Sequence, residues 1–180
     1  MRVWTKQHSC VWEEMQRTGR YAARGAGIFQ NEDARLMMPA YDWLAKALPG
    51  GELRPADAEY PVWVSARQET TMLQSPDTVI LELEVEESLL TWINVAKWGA
   101  INNFSYLPAD EADDRRHRKQ MQDLGISDAE ACLSRFYPEL RQEIRQSWQR
   151  LFDDRVQLGS HAVYGLLWEL RQSWVRQVIR

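Results

Sequence analysis

The side chains able to do chemistry in this chain are few and scattered, and their spacing limits what they can do. The histidines are His8, His117 and His161, and the cysteines are Cys10 and Cys132. His8 and Cys10 form an HxC fragment, but a zinc site needs a second ligand pair, so no metal centre is expected. His117 lies in the run Arg115-Arg116-His117-Arg118-Lys119. Neighbouring positive charge disfavours its protonation, and a surface position is expected. Glu82, Glu84, Glu86 and Glu87 crowd one short stretch, and their alternation reads as the wet face of a strand rather than as an acid and base pair. No GxSxG elbow, GxxxxGK[ST] loop or GxGxxG fingerprint occurs, so hydrolase, P-loop and Rossmann readings have no starting point. Gly25-Ala26-Gly27 reads as a turn in preference to a phosphate cradle.

The aromatic residues carry more. Nine tryptophans occur in 180 residues, spread over nearly every segment. Each couples a large apolar area to one indole N–H that needs a partner, which suits cores, pockets and interfaces alike. Tyr41-Asp42-Trp43 near a helix end and Pro61-Val62-Trp63 on a strand can set two flat rings and a carboxylate beside one cleft, a seat for a planar ligand. The plainer reading makes Trp43 and Trp63 core residues joining helix to sheet. Trp148, flanked by Arg145 and Arg150 on a helix, has the composition of an interface anchor, since tryptophan and arginine dominate binding energy where proteins meet.

The elements that must position these groups follow from periodicity and punctuation. Residues 3–7 read as an opening strand, followed by a helix whose Val11, Trp12 and Met15 share a face and which Gly19 ends. Residues 20–30 read as a loop leading into Ile28 and Phe29. A helix over 32–48 carries Leu36, Met37, Tyr41, Leu44 and Leu48 at helical spacing, with Pro39 expected to bend or split it. Strands are expected over 60–66 and 78–85, the second alternating Val79, Leu81, Leu83 and Val85 against Glu82 and Glu84. Residues 86–103 read as a turn and short helix. A helical block spans 108–152: Pro108 suits a first turn, Ser127 to Glu130 forms a capping box, and Leu140, Ile144, Trp148 and Leu151 form a stripe. Residues 162–170 and 174–179 read as strands, with helical periodicity as the competing pattern.

Composition bounds the class. With 44% hydrophobic and 27% charged residues the chain is expected to fold. A net charge of −4 provides no global field for a phosphate backbone, so general nucleic-acid binding is not expected unless the arginines converge on one face. The two distant cysteines make no disulfide framework, no signal peptide or apolar span is evident, and a cytoplasmic protein is expected.

Taken together, Val3-Trp4-Thr5-Lys6-Gln7, Tyr41-Asp42-Trp43-Leu44, Pro61-Val62-Trp63, the strand over 79–85 and Leu167-Trp168-Glu169-Leu170 resemble an uncharacterised bacterial domain-of-unknown-function family, DUF3841, over most of the chain. The order of elements also resembles small ADP-ribosyltransferase-like proteins. In that fold an opening-strand histidine or arginine, a middle tyrosine and a late glutamate hold and activate NAD. The resemblance implies Thr5 at the opening position and Tyr41 in the middle. The late position falls near Leu166, which cannot supply the carboxylate that stabilises positive charge on a ribose, and Glu169 stands three residues on. A one-residue change of register turns a strand side chain to the other face, so Glu169 is retained as the candidate catalytic carboxylate. The expectation is an α+β single domain over 1–180, with a small mixed or antiparallel sheet from N-terminal, central and C-terminal strands and a helical insertion at 108–152. A cleft near Thr5, Gln7, Tyr41, Trp43 and Trp63 is expected to bind NAD or another nucleotide. The alternative is a noncatalytic protein–protein interaction or inhibitor module that uses the helical block.

Overall fold

A computed structural model describes residues 1–28, 32–71 and 75–180. In chain order the elements are β1 (Arg2–His8), α1 (Ser9–Thr18), β2 (Arg20–Tyr21), α2 (Gly25–Ile28), α3 (Glu32–Leu36), α4 (Met38–Ala47), β3 (Val62–Val64), β4 (Thr78–Glu84) and β5 (Thr91–Asn94). They continue with α5 (Val95–Asn102), α6 (Glu111–Leu124), α7 (Asp128–Leu133), α8 (Pro138–Ser147), β6 (Val163–Leu167), β7 (Leu170–Arg171) and β8 (Val175–Ile179). The architecture is α+β, with small sheets drawn from the beginning, middle and end of the chain. The pairs β1–β4, β4–β8, β2–β7 and β3–β6 are antiparallel. The chain forms two compact units, Met1–Trp92 with Val163–Arg180, and Ile93–Ala162.

In the first unit β4 is the central strand of the order β1-β4-β8. Thr5 lies opposite Leu81 and Val3 opposite Leu83, so Val3, Val79, Leu81 and Leu83 share the buried face. Val11 and Met15 of α1 join the same core, together with Val62, Val64, Leu167 and Leu170. Each such aliphatic side chain contributes about 1.5–3 kcal/mol through burial. The other face of β4 is less wet than its glutamates suggest: Ile80 is buried, and Glu82 is half-buried beside Arg2 at 3.4 Å. The strand reading of the C-terminal segment holds, because β6 and β8 find backbone partners in β3 and β4 that a helix would forgo. On β6, Gly165 allows close approach: a Cβ there would meet Val64 Cγ2 at 2.7 Å, with Leu90 and Trp92 at 3.2 Å.

Several boundaries depart from the sequence reading. The expected loop over 20–30 contains β2 and α2, and Phe29 and Gln30 lie outside the described residues. The expected helix over 32–48 is split as Pro39 dictates: α3 ends at Leu36, and α4 starts at Met38 with proline in its first turn. The stretch 86–103 holds β5 as well as a helix. Alternation in Thr91-Trp92-Ile93-Asn94 is too short to stand out from the helical pattern that follows.

In the second unit, α6 starts at Glu111 rather than at Pro108, because the Asp110 side chain accepts the N–H of Asp113 and fixes the cap there. Gly125 ends α6 in the left-handed conformation at φ 66°. The Ser127 and Glu130 capping box opens α7 as expected. On α8 and the 3-10 turn after it, Leu140, Ile144, Trp148 and Leu151 are all buried, and the ion pairs Glu111–Arg115 and Asp114–Arg118 line the wet face of α6.

Candidate functional site

Four of the five residues expected to bind a ligand are brought together in the first unit. The Thr5 hydroxyl donates to the Trp63 carbonyl at 2.7 Å, and the Gln7 amide donates to the Thr5 hydroxyl at 2.7 Å. Thr5 is 2% exposed, so this relay braces β1 against β3 and turns the Thr5 hydroxyl inward. The Tyr41 ring stands edge-on to Trp63 at 6.2 Å and 67°, and edge-on to Tyr60 at 6.2 Å and 75°. Edge-to-face rings pack well but leave no parallel slot for a planar ligand. Asp42, the carboxylate beside them, accepts the Tyr60 hydroxyl at 2.6 Å, and burial followed by this carboxylate pushes the Tyr60 phenol up to about 12. Trp43 lies half-buried on α4.

Glu169 lines a different opening of the first unit. It stands in the two-residue link between β6 and β7, with a side chain 12% exposed. Arg20 Nη1 donates to Oε2 at 3.0 Å, and Arg171 Nε and Nη2 both reach Oε1, at 2.7 and 2.6 Å. Arg20 also forks onto Asp57 through Nη2, at 2.7 and 2.8 Å. The hydrogen bond to Asp57, then that to Glu169, raises the pKa of Arg20. These groups line an open cleft of about 870 Å³ together with Leu53, Arg54, Pro55 and Ala56. Arg54 lies over the Trp168 ring at 4.8 Å and donates to the carbonyls of Ala45, Ala58 and Glu59. The lining thus mixes three guanidinium groups, Arg20, Arg54 and Arg171, with two carboxylates, Asp57 and Glu169, and the apolar Leu53, Pro55 and Ala56.

Sequence reasoning singled out Glu169 but missed Arg20 and Asp57. Glu169 and Arg171 stand two residues apart, and a pair of opposite charges that close was a signal available in the sequence. Arg20 follows the helix-stopping Gly19, and only the β2–β7 pairing, with Arg20 opposite Arg171, brings it to the carboxylate.

In the second unit, Trp148 is not an interface anchor. It is 0% exposed, its Nε1 donates to the Ser105 carbonyl at 2.8 Å, and Phe104 packs beside it at 6.5 Å. Its place in the apolar stripe of α8 outweighs its arginine neighbours. Arg150 turns inward to the Leu107 carbonyl and to Asp113 at 3.6 Å, while Arg145 lies exposed on α8 near the Cys132 thiol. His117 is likewise no surface residue. At 3% exposure it stacks on Tyr106 at 4.0 Å and 11°, and its Nε2 meets Asp128 Oδ1 at 2.8 Å. The other Asp128 oxygen accepts the Tyr106 N–H at 2.7 Å. Burial pushes the Asp128 carboxyl up, but His117 and the Tyr106 N–H outweigh it and leave the group lowered. A cavity of about 600 Å³ opens alongside. His117 Nδ1 is shut from solvent with no partner among the described residues, and the ring is held by Tyr106 on its face and Asp128 at Nε2. Its helical neighbours at four-residue spacing, Asp113 and Met121, gave the signal that the surrounding charges obscured.

Among the described residues, no group of three or more potential ligands could hold a metal ion, and no helix is long and apolar enough to cross a membrane. Fold and sites together define an α+β protein with an arginine-lined cleft in its first unit. Residues 2–176 match the family described as Domain of unknown function (DUF3841), and the chain belongs to that family. No curated protein and no solved structure matches it, so the likeness to ADP-ribosyltransferases finds no counterpart in either comparison.

Proposed function

We propose that the chain binds a nucleotide, NAD or another, in the Arg20–Glu169–Arg171 cleft of its first unit. The observation that supports this reading most is the cleft's mixed lining, in which the partly exposed guanidinium groups of Arg20 and Arg171, paired to Asp57 and Glu169, share one opening with Leu53, Pro55 and Ala56. A nucleotide has matching parts, an anion for the guanidinium groups and a flat base for the apolar side chains. The volume of about 870 Å³ lies within the roughly 300–1,000 Å³ usual for small-molecule sites. Thr5, Gln7, Tyr41 and Trp63 then serve as the frame that holds β1, β3 and α4, not as ligand contacts. Both oxygens of Glu169 are occupied by arginines, so the proposal is binding, and no catalytic step is assigned.

Calorimetric titration with NAD, ADP and adenosine tests the reading. Binding of NAD and ADP with weaker binding of adenosine is expected, and Arg171→Ala should lower ADP affinity about tenfold or more, the loss of one charge-assisted pair. No binding of NAD or ADP at millimolar concentration removes the reading. One observation favours the interaction-module alternative: Leu133 at the end of α7 and Phe136 between α7 and α8 are 57% and 88% exposed. A photo-crosslinker placed at Phe136 should capture a discrete partner in cells, and absence of any adduct counts against that alternative.

A further inference from the structure

Resting on the nucleotide reading of this cleft, we propose that Glu169 is a built-in stand-in for the ligand's phosphate, occupying the seat between Arg20 and Arg171 until an anion displaces it.

Three observations carry the proposal. The first is geometry. Arg171 binds one oxygen of Glu169 through two nitrogens at 2.7 and 2.6 Å, and Arg20 binds the other at 3.0 Å. Guanidinium forks grip carboxylate and phosphate with the same spacing, so a phosphate oxygen can take the place of either carboxylate oxygen. The second is access. The side chains of Arg20 and Arg171 are 38% and 55% exposed, while that of Glu169 is 12% exposed. An incoming anion reaches the cations directly, and partly exposed ion pairs are weak enough to be exchanged. The third is freedom to leave. Glu169 sits in the link between β6 and β7, outside both strands, and the ion pairs its side chain gives up on leaving are those to Arg20 and Arg171. Arg20 stays in place because Asp57 holds it from the other side at 2.7 Å, and Arg171 rests over the Trp174 ring at 5.3 Å. The cationic seat is thus preorganised whether Glu169 or a phosphate fills it.

The stand-in predicts the sign of a substitution. Glu169→Gln keeps the size of the side chain but removes the competing charge, so ADP and inorganic pyrophosphate should bind about tenfold more tightly than to the wild type. A residue that contacts the ligand productively, as a ribose-binding carboxylate would, gives the opposite sign. Titrations of both proteins with ADP separate the cases. Binding to both, tighter in the variant, supports the proposal, as does binding to the variant alone. Binding to both with equal or weaker affinity in the variant overturns it and leaves the nucleotide reading standing. Binding to neither overturns both. A second measurement needs no substitution. In wild-type protein labelled at the glutamate side-chain carboxyl, ADP should shift the Glu169 ¹³C resonance toward that of a solvated carboxylate. An unmoved resonance at saturating ADP overturns the proposal even if the variant fails to fold.

Discussion

Trp148 and His117 look alike in sequence, each a single aromatic or imidazole ring among arginines, and both are buried. What separates them from the exposed charges is their phase on the helix. Trp148 continues the stripe of Leu140 and Ile144, and its indole N–H is satisfied by Ser105. Replacing Trp148 with alanine should cost about 3–5 kcal/mol in chemical denaturation, as large-to-small core changes do. A loss below 1 kcal/mol would show that the site is not core. Asp128→Ala removes the acceptor of both His117 Nε2 and the Tyr106 N–H. About 1–3 kcal/mol should be lost for each group left buried without a partner, with a change in the His117 side-chain ¹⁵N shifts. Glu169 could be picked out from its place in the C-terminal motif, but its arginine clamp could not. One partner lies 149 residues away, and no local pattern encodes a pairing of that range.

At the level of elements, punctuation was the legible part. Gly19, Pro39, Gly125, Ser127 and Pro138 each mark a boundary that the structure keeps, because each acts through its own backbone angle or cap. Short strands were less legible. Arg20–Tyr21 and Thr91–Asn94 owe their conformation to partners distant in sequence, and two to four residues are too few to display a period. Gly165→Ala should therefore be destabilising by about 1–3 kcal/mol, since the added methyl would press on Val64, Leu90 and Trp92 across the sheet. Ser127→Ala, which removes half of a capping box at an exposed helix start, should cost only about 1 kcal/mol. If denaturation midpoints reverse that order, β6 has room that the present packing denies it.

Across the whole molecule, acid is the stress to which the fold is built to respond. Burial pushes the Asp113 carboxyl up, but the Ala109 N–H, the Arg116 guanidinium and the Tyr106 hydroxyl outweigh it and hold the group down at about 2. Asp153 is held at about 2 chiefly by the Arg155 side chain, and Asp128 is also lowered. A carboxyl whose folded pKa lies below its ordinary value of 3.8 adds stability at pH above that value and loses it as the pH falls toward 2. Urea midpoints should therefore show little contribution from these groups to any change between pH 7 and pH 5, then drop between about pH 4 and pH 2. Asp113→Asn should flatten that drop, and an unchanged acid slope in the variant would contradict the assignment.

The segment Val163–Arg180 supplies one strand to each of the three sheets: β6 beside β3, β7 beside β2 and β8 beside β4. For a chain emerging from the ribosome, this sets an order of events. The β1–β4 pair can close early, but β2, β3 and β5, and the second edge of β4, wait for partners until the intervening helical unit has been made. Loop closure over such a span is slow and leaves strand edges open meanwhile. A chain halted at residue 162 should expose β2, β3 and β5 to protease while its β1–β4 pair is protected, and the newborn protein should need shielding at those edges and at the open side of β4.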